Sequence, residues 1–383
     1  MSRGQLGQAG EIAFAFLDWR VVIQSDDPNY LGFFSRLYSR VIIDAPWPEK
    51  TIIFQIWTRR HSPFEVPVFV AGDEVHQLWG PAPPADAIRI RVLDHLQQHL
   101  TNHFLIHAGA VSRAGMGVLL VGDAFYGKST LTLELTRRGY GFLTDDMVAI
   151  NRTDGRVYPS PRSPNIRPSS ADHLDLTLPD EPGKIYSNHI FDIEELFPGQ
   201  MGAAVPIGAV CILGDIKTMP QAPGVSSTRL VHFWVENPSP GFLGDLRRLE
   251  GTTNLVTRYR EDHVYIILSA GDKDSAADRI RALCARHDIR LLGVSTDMGH
   301  FPSFNNPPTL TPIPTSQAAI YMLQRLRGDR EALLQTMSGG KPTQLFAELA
   351  GLIGDAACYI LSVGPLGQMA DLIDAIPLPP RDA

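Results

Sequence analysis

The sequence predicts an α/β protein, with a phosphate-loop core set between a β-rich N-terminal region and a mostly helical C-terminal region. Three observations predict it. Short β-branched and aromatic runs, separated by Asp, Pro and Gly, fill the first 84 residues. An apolar strand then enters a glycine-containing loop that opens a helix. Helical spacing recurs over much of the remaining chain.

In order, "RVVIQ", "RVIID", "TIIFQIW" and "VPVFVAG" read as strands of an N-terminal domain over 1–84, closed by the proline-rich "WGPAPPAD". Ile88, Val92, Leu93, Leu96 and Leu100 recur at helical spacing and lead into a nucleotide-binding core over 85–215. "FLIHAGAVSRAGMGVLLVGD" reads as a hairpin turning near "RAGMG", and "KSTLTLELTRRG" as a helix closed by Gly139. "YGFLTDDMVAI" reads as a buried strand, "TDGRVY" as a turn and "VPIGAVCILGD" as another buried strand. Beyond 215, "SAADRIRALCARHDIRLLGVS" reads as helix then strand, and "HFPSFNNPPTLTPIPT" as a proline-rich loop. "SQAAIYMLQRLRGDREALLQTM" and "PTQLFAELAGLIGDAACYILSVG" read as helices, with a last one in "GQMADLIDAI", so 216–383 forms an α/β to helical C-terminal region.

Composition narrows the function. With 34 basic and 41 acidic residues the net charge is -7, which argues against nucleic acid, whose binding needs a basic footprint. No apolar run approaches a membrane span and the N-terminus lacks a signal pattern. The three separated cysteines, Cys211, Cys284 and Cys358, suit a reducing compartment. The expectation is a cytoplasmic protein without membrane or nucleic-acid partners.

Gly122, Asp123, Ala124, Phe125, Tyr126, Gly127, Lys128 and Ser129 fit G-x-x-x-x-G-K-[ST], with Thr130 following. Such a loop wraps phosphate with consecutive backbone N–H groups, and the helix behind it presents its positive end. Lys128 would reach the terminal phosphates of a nucleotide and Ser129 would ligate Mg²⁺. Phe125 and Tyr126 are bulky for such a loop; they could line the pocket, stack on a ligand, or mark a diverged loop. Asp145 and Asp146 follow Lys128 by 17 and 18 residues, the length of a helix and a turn. One carboxylate there could hold Mg²⁺, while the other accepts a proton. His107, in an apolar strand, reads on pattern alone as a core residue. Arg162 and Arg167, in "YPSPRSPNIRPSS", could clamp phosphate or an acidic substrate or be solvated, with Arg167 favoured. His189 and His300 have no neighbours at ligand spacing and read as ordinary, and no Ser/His/Asp order suggests a hydrolase.

The block from "FLIHAGAV" to "DDMVAI" resembles the catalytic domain of the HPr kinase/phosphorylase family. That family shares its core with phosphoenolpyruvate carboxykinase and with kinases that modify lasso-peptide tails. The resemblance rests on His107-Ala108, Gly122 to Ser129, Arg137-Arg138-Gly139 and Asp145-Asp146. Ala124-Phe125 stands where that family has small Ser-Gly, and its downstream "E-x-R-G" and "RPGRN" signatures are absent. The resemblance implies phosphate contact by Lys128, Mg²⁺ held by Ser129 with Asp146 beside it, Asp145 as base, and His107 near the transferred phosphate. It implies an ATP- and Mg²⁺-dependent kinase acting on a peptide or protein Ser/Thr or a small alcohol, with homo-oligomers among its relatives. A non-catalytic ATP- or GTP-binding sensor or scaffold module remains the alternative.

Overall fold

The structure is a computed structural model. It describes residues 10–39, 48–58, 62, 67–78, 85–123, 126–160, 162–166, 168–177, 184–185, 188–214, 229–235, 238–249, 252–259, 264–270, 272–295, 304–327, 335 and 337–378. The expected strand "RVIID", Ala124, Phe125, Arg167 and His300 lie outside the described residues, as does the side chain of His189. The chain divides into two compact units, residues 1–215 with 304–383, and residues 216–303.

In the first unit, β1 (Gly10–Phe16), β2 (Trp19–Ser25), β3 (Lys50–Trp57), β4 (Val68–Ala71) and β5 (Glu74–Gln77) form a sheet in that order. It is antiparallel except between β2 and β3. Between β2 and β3 lies helix α1 (Pro28–Leu37), absent from the sequence reading. Its signal was present: Asp27 caps it by accepting from the Asn29 amide, and Pro28 opens its first turn. Phe34 on this helix and Tyr38 at its end are fully buried together with Phe14 and Phe54 of the sheet. Helix α2 (Ala85–His99) adds Ile88, Val92 and Leu96 to that core, as its spacing predicts.

The central sheet takes β6 (His103–Ile106), β7 (Ala108–Arg113), β8 (Met116–Gly122), β9 (Gly141–Thr144), β10 (Val148–Asn151) and β11 (Arg156–Tyr158). After β12 (Asn165–Ile166), β13 (Lys184–Ile185) and β14 (Asn188–Ile190), which make a small sheet of their own, comes β15 (Val205–Leu213). The path is β6-β10-β11-β15-β8-β7-β9. The β7–β8 hairpin turns through Ala114 (φ 51°) and Gly115 (φ 79°), the doubly left-handed geometry that matches strand twist.

Strand β8 is buried throughout and runs parallel to β15, as its unbroken apolar run suits. Its residues alternate between two helical layers. Val118 and Leu120 pack with Leu131 and Leu135 of helix α3 (Lys128–Arg137) and with Met369 and Ile373. Leu119 and Val121 pack with Ala318, Met322, Leu345 and Leu349 on the opposite face. Gly109 lets α3 sit close to the sheet, because a Cβ there would lie 2.3 Å from Thr132 Oγ1.

The second unit holds β16 (Arg229–Val235), β17 (Thr252–Tyr259), β18 (Val264–Ala270) and β19 (Leu291–Ser295) in the antiparallel order β17-β18-β16-β19. Residues 273–286 are helical there, and the expected helix-then-strand over 275–295 forms.

Returning to the first unit, β20 (Leu310–Pro312) pairs with β21 (Ala357–Leu361), and β21 lies parallel to β15. The sequence reading made 342–364 one helix. In the structure the helix ends at Leu352, and "ACYIL" becomes a sheet strand whose Ile360 and Leu361 are buried. The partner strand supplies the hydrogen bonds that favour the extended state over local helical spacing. No helix among the described residues is long and apolar enough to cross a membrane.

Candidate functional site

The segment expected to be one strand from Tyr140 to Ile150 is two. Strand β9 pairs with β7, whereas β10 pairs with β6, so the chain changes partners at Asp145–Met147. Thr144 stabilises the break, its Oγ1 accepting from the amides of Asp146 (3.4 Å) and Met147 (3.3 Å). Opposite, β6 and β7 are interrupted at His107, and the Ala108 amide donates to the Asp146 carbonyl at 3.2 Å. The two breaks therefore bring His107 and the aspartate pair together at one opening in the sheet.

The Gly122–Ser129 loop leaves the end of β8 beside them. At Gly122 a Cβ would come within 3.0 Å of Leu213 on β15. Gly127 has φ +79°, and a Cβ there would approach the Phe304 ring at 3.3 Å. Glycine thus suits both positions for distinct reasons, close strand approach and a left-handed turn. No side chain caps α3, so its first amides stay available to a ligand. Tyr126 is buried in the apolar cluster with Leu120, Leu213 and Leu361, so it packs inward rather than lining the loop.

Lys128 is 6% exposed, and its Nζ donates to the carbonyls of Gly122 (2.9 Å) and Asp123 (2.8 Å). Burial pulls its pKa down to about 8, with Asp146 and Asp123 pulling the other way. The Ser129 hydroxyl donates to the Asp145 carbonyl at 3.2 Å, and Thr130 Oγ1 donates to Ser170 Oγ at 2.9 Å.

The two aspartates differ in setting. The Asp145 side chain is 4% exposed, with Oδ1 3.3 Å from Arg162 Nη2. Asp146 is 27% exposed and meets three partners: Arg162 at 3.2 Å, His107 Nδ1 at 3.0 Å and Arg327 at 3.0 Å. Burial raises the Asp146 pKa, but Arg162, then the hydrogen bond from His107, then Arg327 outweigh it and hold the carboxyl well below the usual range. Burial opposes the charge on Arg162, yet Asp146 and Asp145 keep it firmly protonated. Burial likewise lowers the His107 pKa below 6.5; Asp146 resists this, while Lys128 and Arg327 add to it. His107 Nδ1 also lies 2.6 Å from Arg327 Nη2. A proton on that nitrogen serves Asp146, and a lone pair there serves Arg327, so the two pairings are alternative states.

Arg325 and Arg327 were missed by sequence reasoning, which placed them in a helix. The helix before them ends at Leu323, and Leu326 forms an antiparallel bridge to Ile106. The His107 amide donates to the Arg325 carbonyl (2.8 Å), and the Arg327 amide donates to the Leu105 carbonyl (2.8 Å). Residues two apart on such an extended piece share a face, which takes Arg325 to Asp123 of the loop and Arg327 to His107 and Asp146. Arg325 donates to Asp123 Oδ1 at 2.9 Å, and its Nε is buried without a hydrogen-bond partner among the described residues. The "R-x-R" spacing was a usable signal only once the helix was known to stop. Arg162, weighed in the sequence as one of two loop arginines, lies against both aspartates.

Residues 98–167 match the family described as the HPr Serine kinase C-terminal domain. The HPr kinase/phosphorylase of Caldanaerobacter subterraneus subsp. tengcongensis is 39% identical over 62 residues, which cover 16% of this chain and 20% of that protein. That of Clostridium tetani is 27% identical over 106 residues, covering 28% of this chain and 34% of the relative. The solved Hpr(Ser) kinase/phosphatase from Coxiella burnetii aligns at 24% identity and a TM-score of 0.23, over 33% of this chain and 75% of that one. The chain thus spans only about a fifth to a third of the length of these curated relatives. Its central segment is HPr-kinase-like.

Proposed function

We propose that this HPr-kinase-like core is a kinase that moves the terminal phosphoryl group of a nucleoside triphosphate, ATP by family likeness, to a hydroxyl. The acceptor would be a Ser or Thr of a peptide or protein, or a small alcohol. One observation carries the reading: Lys128, His107, Asp146, Arg162 and Arg327 converge where both strand pairs break.

On this reading the loop amides and Lys128 bind the phosphates, and Arg325 offers its unpartnered Nε–H to them. The Ser129 hydroxyl and the Asp146 carboxylate are hard oxygen donors that fit Mg²⁺, which binds through one or two carboxylates plus phosphate oxygens. That ion would neutralise charge developing on the phosphates. The acceptor oxygen forms a bond to the γ-phosphorus as the bond to the β,γ-bridging oxygen breaks, and nucleoside diphosphate departs. His107, neutral near pH 7, receives the hydroxyl proton. Asp146, held ionised, stabilises the imidazolium so formed. Asp145, enclosed against Arg162, holds that arginine in place. Its enclosure favours this role over the proton-accepting one that the family resemblance implies.

Nucleotide binding by calorimetry, paired with slow ATP hydrolysis as a readout that needs no acceptor, tests the proposal. Asp146→Asn and His107→Gln should bind within a few-fold of wild type and turn over at least about 100-fold more slowly. Asp145→Asn should lose less. Nucleotide binding without turnover in wild type would sink the kinase reading and favour a nucleotide sensor, and unchanged turnover in Asp146→Asn would remove Asp146 from the proposed chemistry.

A further inference from the structure

Away from this opening, three side chains of the N-terminal sheet and α2 converge. Glu74 and His76 stand two residues apart on β5, and so project from the same face of that strand. His95 comes from α2. His95 Nε2 lies 3.1 Å and His76 Nε2 3.3 Å from the same oxygen, Glu74 Oε2. One ligand atom from each of the three residues falls within 4.8 Å of the others.

The hydrogen bonding fixes one tautomer. His95 Nδ1 is 3.1 Å from the Arg91 carbonyl, which can only accept, so Nδ1 carries the proton. In the neutral ring, Nε2 then presents a lone pair to a carboxylate oxygen, a contact that either a second ring proton or a bound cation between the two atoms satisfies. A ring nitrogen donating to a backbone carbonyl is also the usual way a metal-binding histidine is oriented.

The rings are held from behind. Phe69, fully buried, meets His95 edge-on with centroids 5.7 Å apart and His76 at 6.1 Å, and buried Phe54 meets His95 at 6.1 Å. Both rings turn Nε2 toward a carboxylate 65% exposed. The spacing suits a metal. With bonds of about 2.0–2.1 Å, neighbouring ligand atoms of a tetrahedral zinc ion stand about 3.3–3.5 Å apart, close to the two N–O distances above.

We propose that Glu74, His76 and His95 bind one divalent cation of the zinc class, with a fourth position open to water. Two imidazoles and one carboxylate favour Zn²⁺ over Mg²⁺ or Ca²⁺, which take oxygen ligands. The ion would pin the outer strand β5 onto α2, the helix whose last turns also pack against Leu105 and Ala149 of the central sheet. The site shares no residue with the phosphate opening and does not depend on the function proposed for it. The three cysteines are buried and offer no competing surface site.

The full chain, freed of metal, is titrated with ZnCl₂ by calorimetry without nucleotide, and its melting is followed with and without Zn²⁺. One equivalent should bind at micromolar concentration and raise Tm. His76→Gln, His95→Gln and Glu74→Gln should each weaken binding by at least about 100-fold, since loss even of an outer partner costs 10–100-fold. His76→Gln is the decisive variant, because the side chain is 33% exposed and the fold should tolerate its replacement. Asp146→Asn should bind Zn²⁺ like wild type. No binding by wild type, or equal binding by His76→Gln, overturns the site and leaves a His95–Glu74 ion pair in its place.

Discussion

Replacing Lys128 with methionine should stabilise the nucleotide-free protein near neutral pH. The ammonium is almost fully enclosed, and burial takes its pKa from 10.5 to about 8. At about 1.4 kcal/mol per pKa unit, the charged form is worse off in the fold than in the unfolded chain by about 3 kcal/mol. Because the folded pKa is the lower one, the unfolded chain binds more protons between about pH 8 and 10.5. Stability therefore rises with pH across that window and sits at its low plateau below it. Methionine has similar length and no charge, so it removes the cost. It also leaves the Gly122 and Asp123 carbonyls without their donor, a loss of about 1–2 kcal/mol. The net gain is about 1–2 kcal/mol, equivalent to a rise in Tm of about 2–6 °C. Scanning calorimetry from pH 7 upward reads it: the variant's advantage should shrink as the wild type loses its charge above about pH 8. ATP with Mg²⁺ should raise the Tm of wild type but not of the variant. A variant less stable at neutral pH, or an advantage indifferent to pH, would refute the reasoning and show that the loop carbonyls fully compensate the buried charge.

Arg162→Met should cost about 3–5 kcal/mol in urea unfolding, because it removes the buried guanidinium that meets Asp145 at 3.3 Å and Asp146 at 3.2 Å. Acid should destabilise the protein in two stages. His107 and Asp146 both have depressed pKa values in the fold, so each contributes stability above its ordinary value, 6.5 and 3.8, that is lost as pH falls through the lower folded value. Tm followed from pH 7 down to 3 should fall in both ranges, and His107→Gln should flatten the upper one alone.

What the sequence shows most clearly is local. The strand before Gly122, the helix after Gly127 and the hairpin at Ala114-Gly115 follow from apolar runs and turn residues within a dozen positions of one another. Family resemblance placed His107 near the transferred phosphate, but its contact with Asp146 was not legible, because 39 residues separate them and only strand pairing joins them. Arg325 and Arg327 were hidden by a different cause. "SQAAIYMLQRLRGD" is helix-periodic throughout, and the point where it leaves the helix is set by an edge of β6 more than 200 residues earlier in the chain. The strand at Ala357–Leu361 was hidden in the same way, since β15 supplies the neighbour that makes it extended.

The same remoteness explains how the opening is balanced electrostatically. Each cation there already has an internal partner: Lys128 the loop carbonyls, Arg325 the Asp123 carboxylate, Arg162 and Arg327 the aspartate pair. On the proposed reading, an arriving triphosphate exchanges these contacts rather than simply adding to them. Lys128 then recovers by pairing with phosphate the roughly 3 kcal/mol that burial withholds from it in the free protein. On that reading the loop gives up stability before binding and regains it on binding. The proposed function would then account for an ammonium kept beneath a loop that could have been closed with an apolar residue.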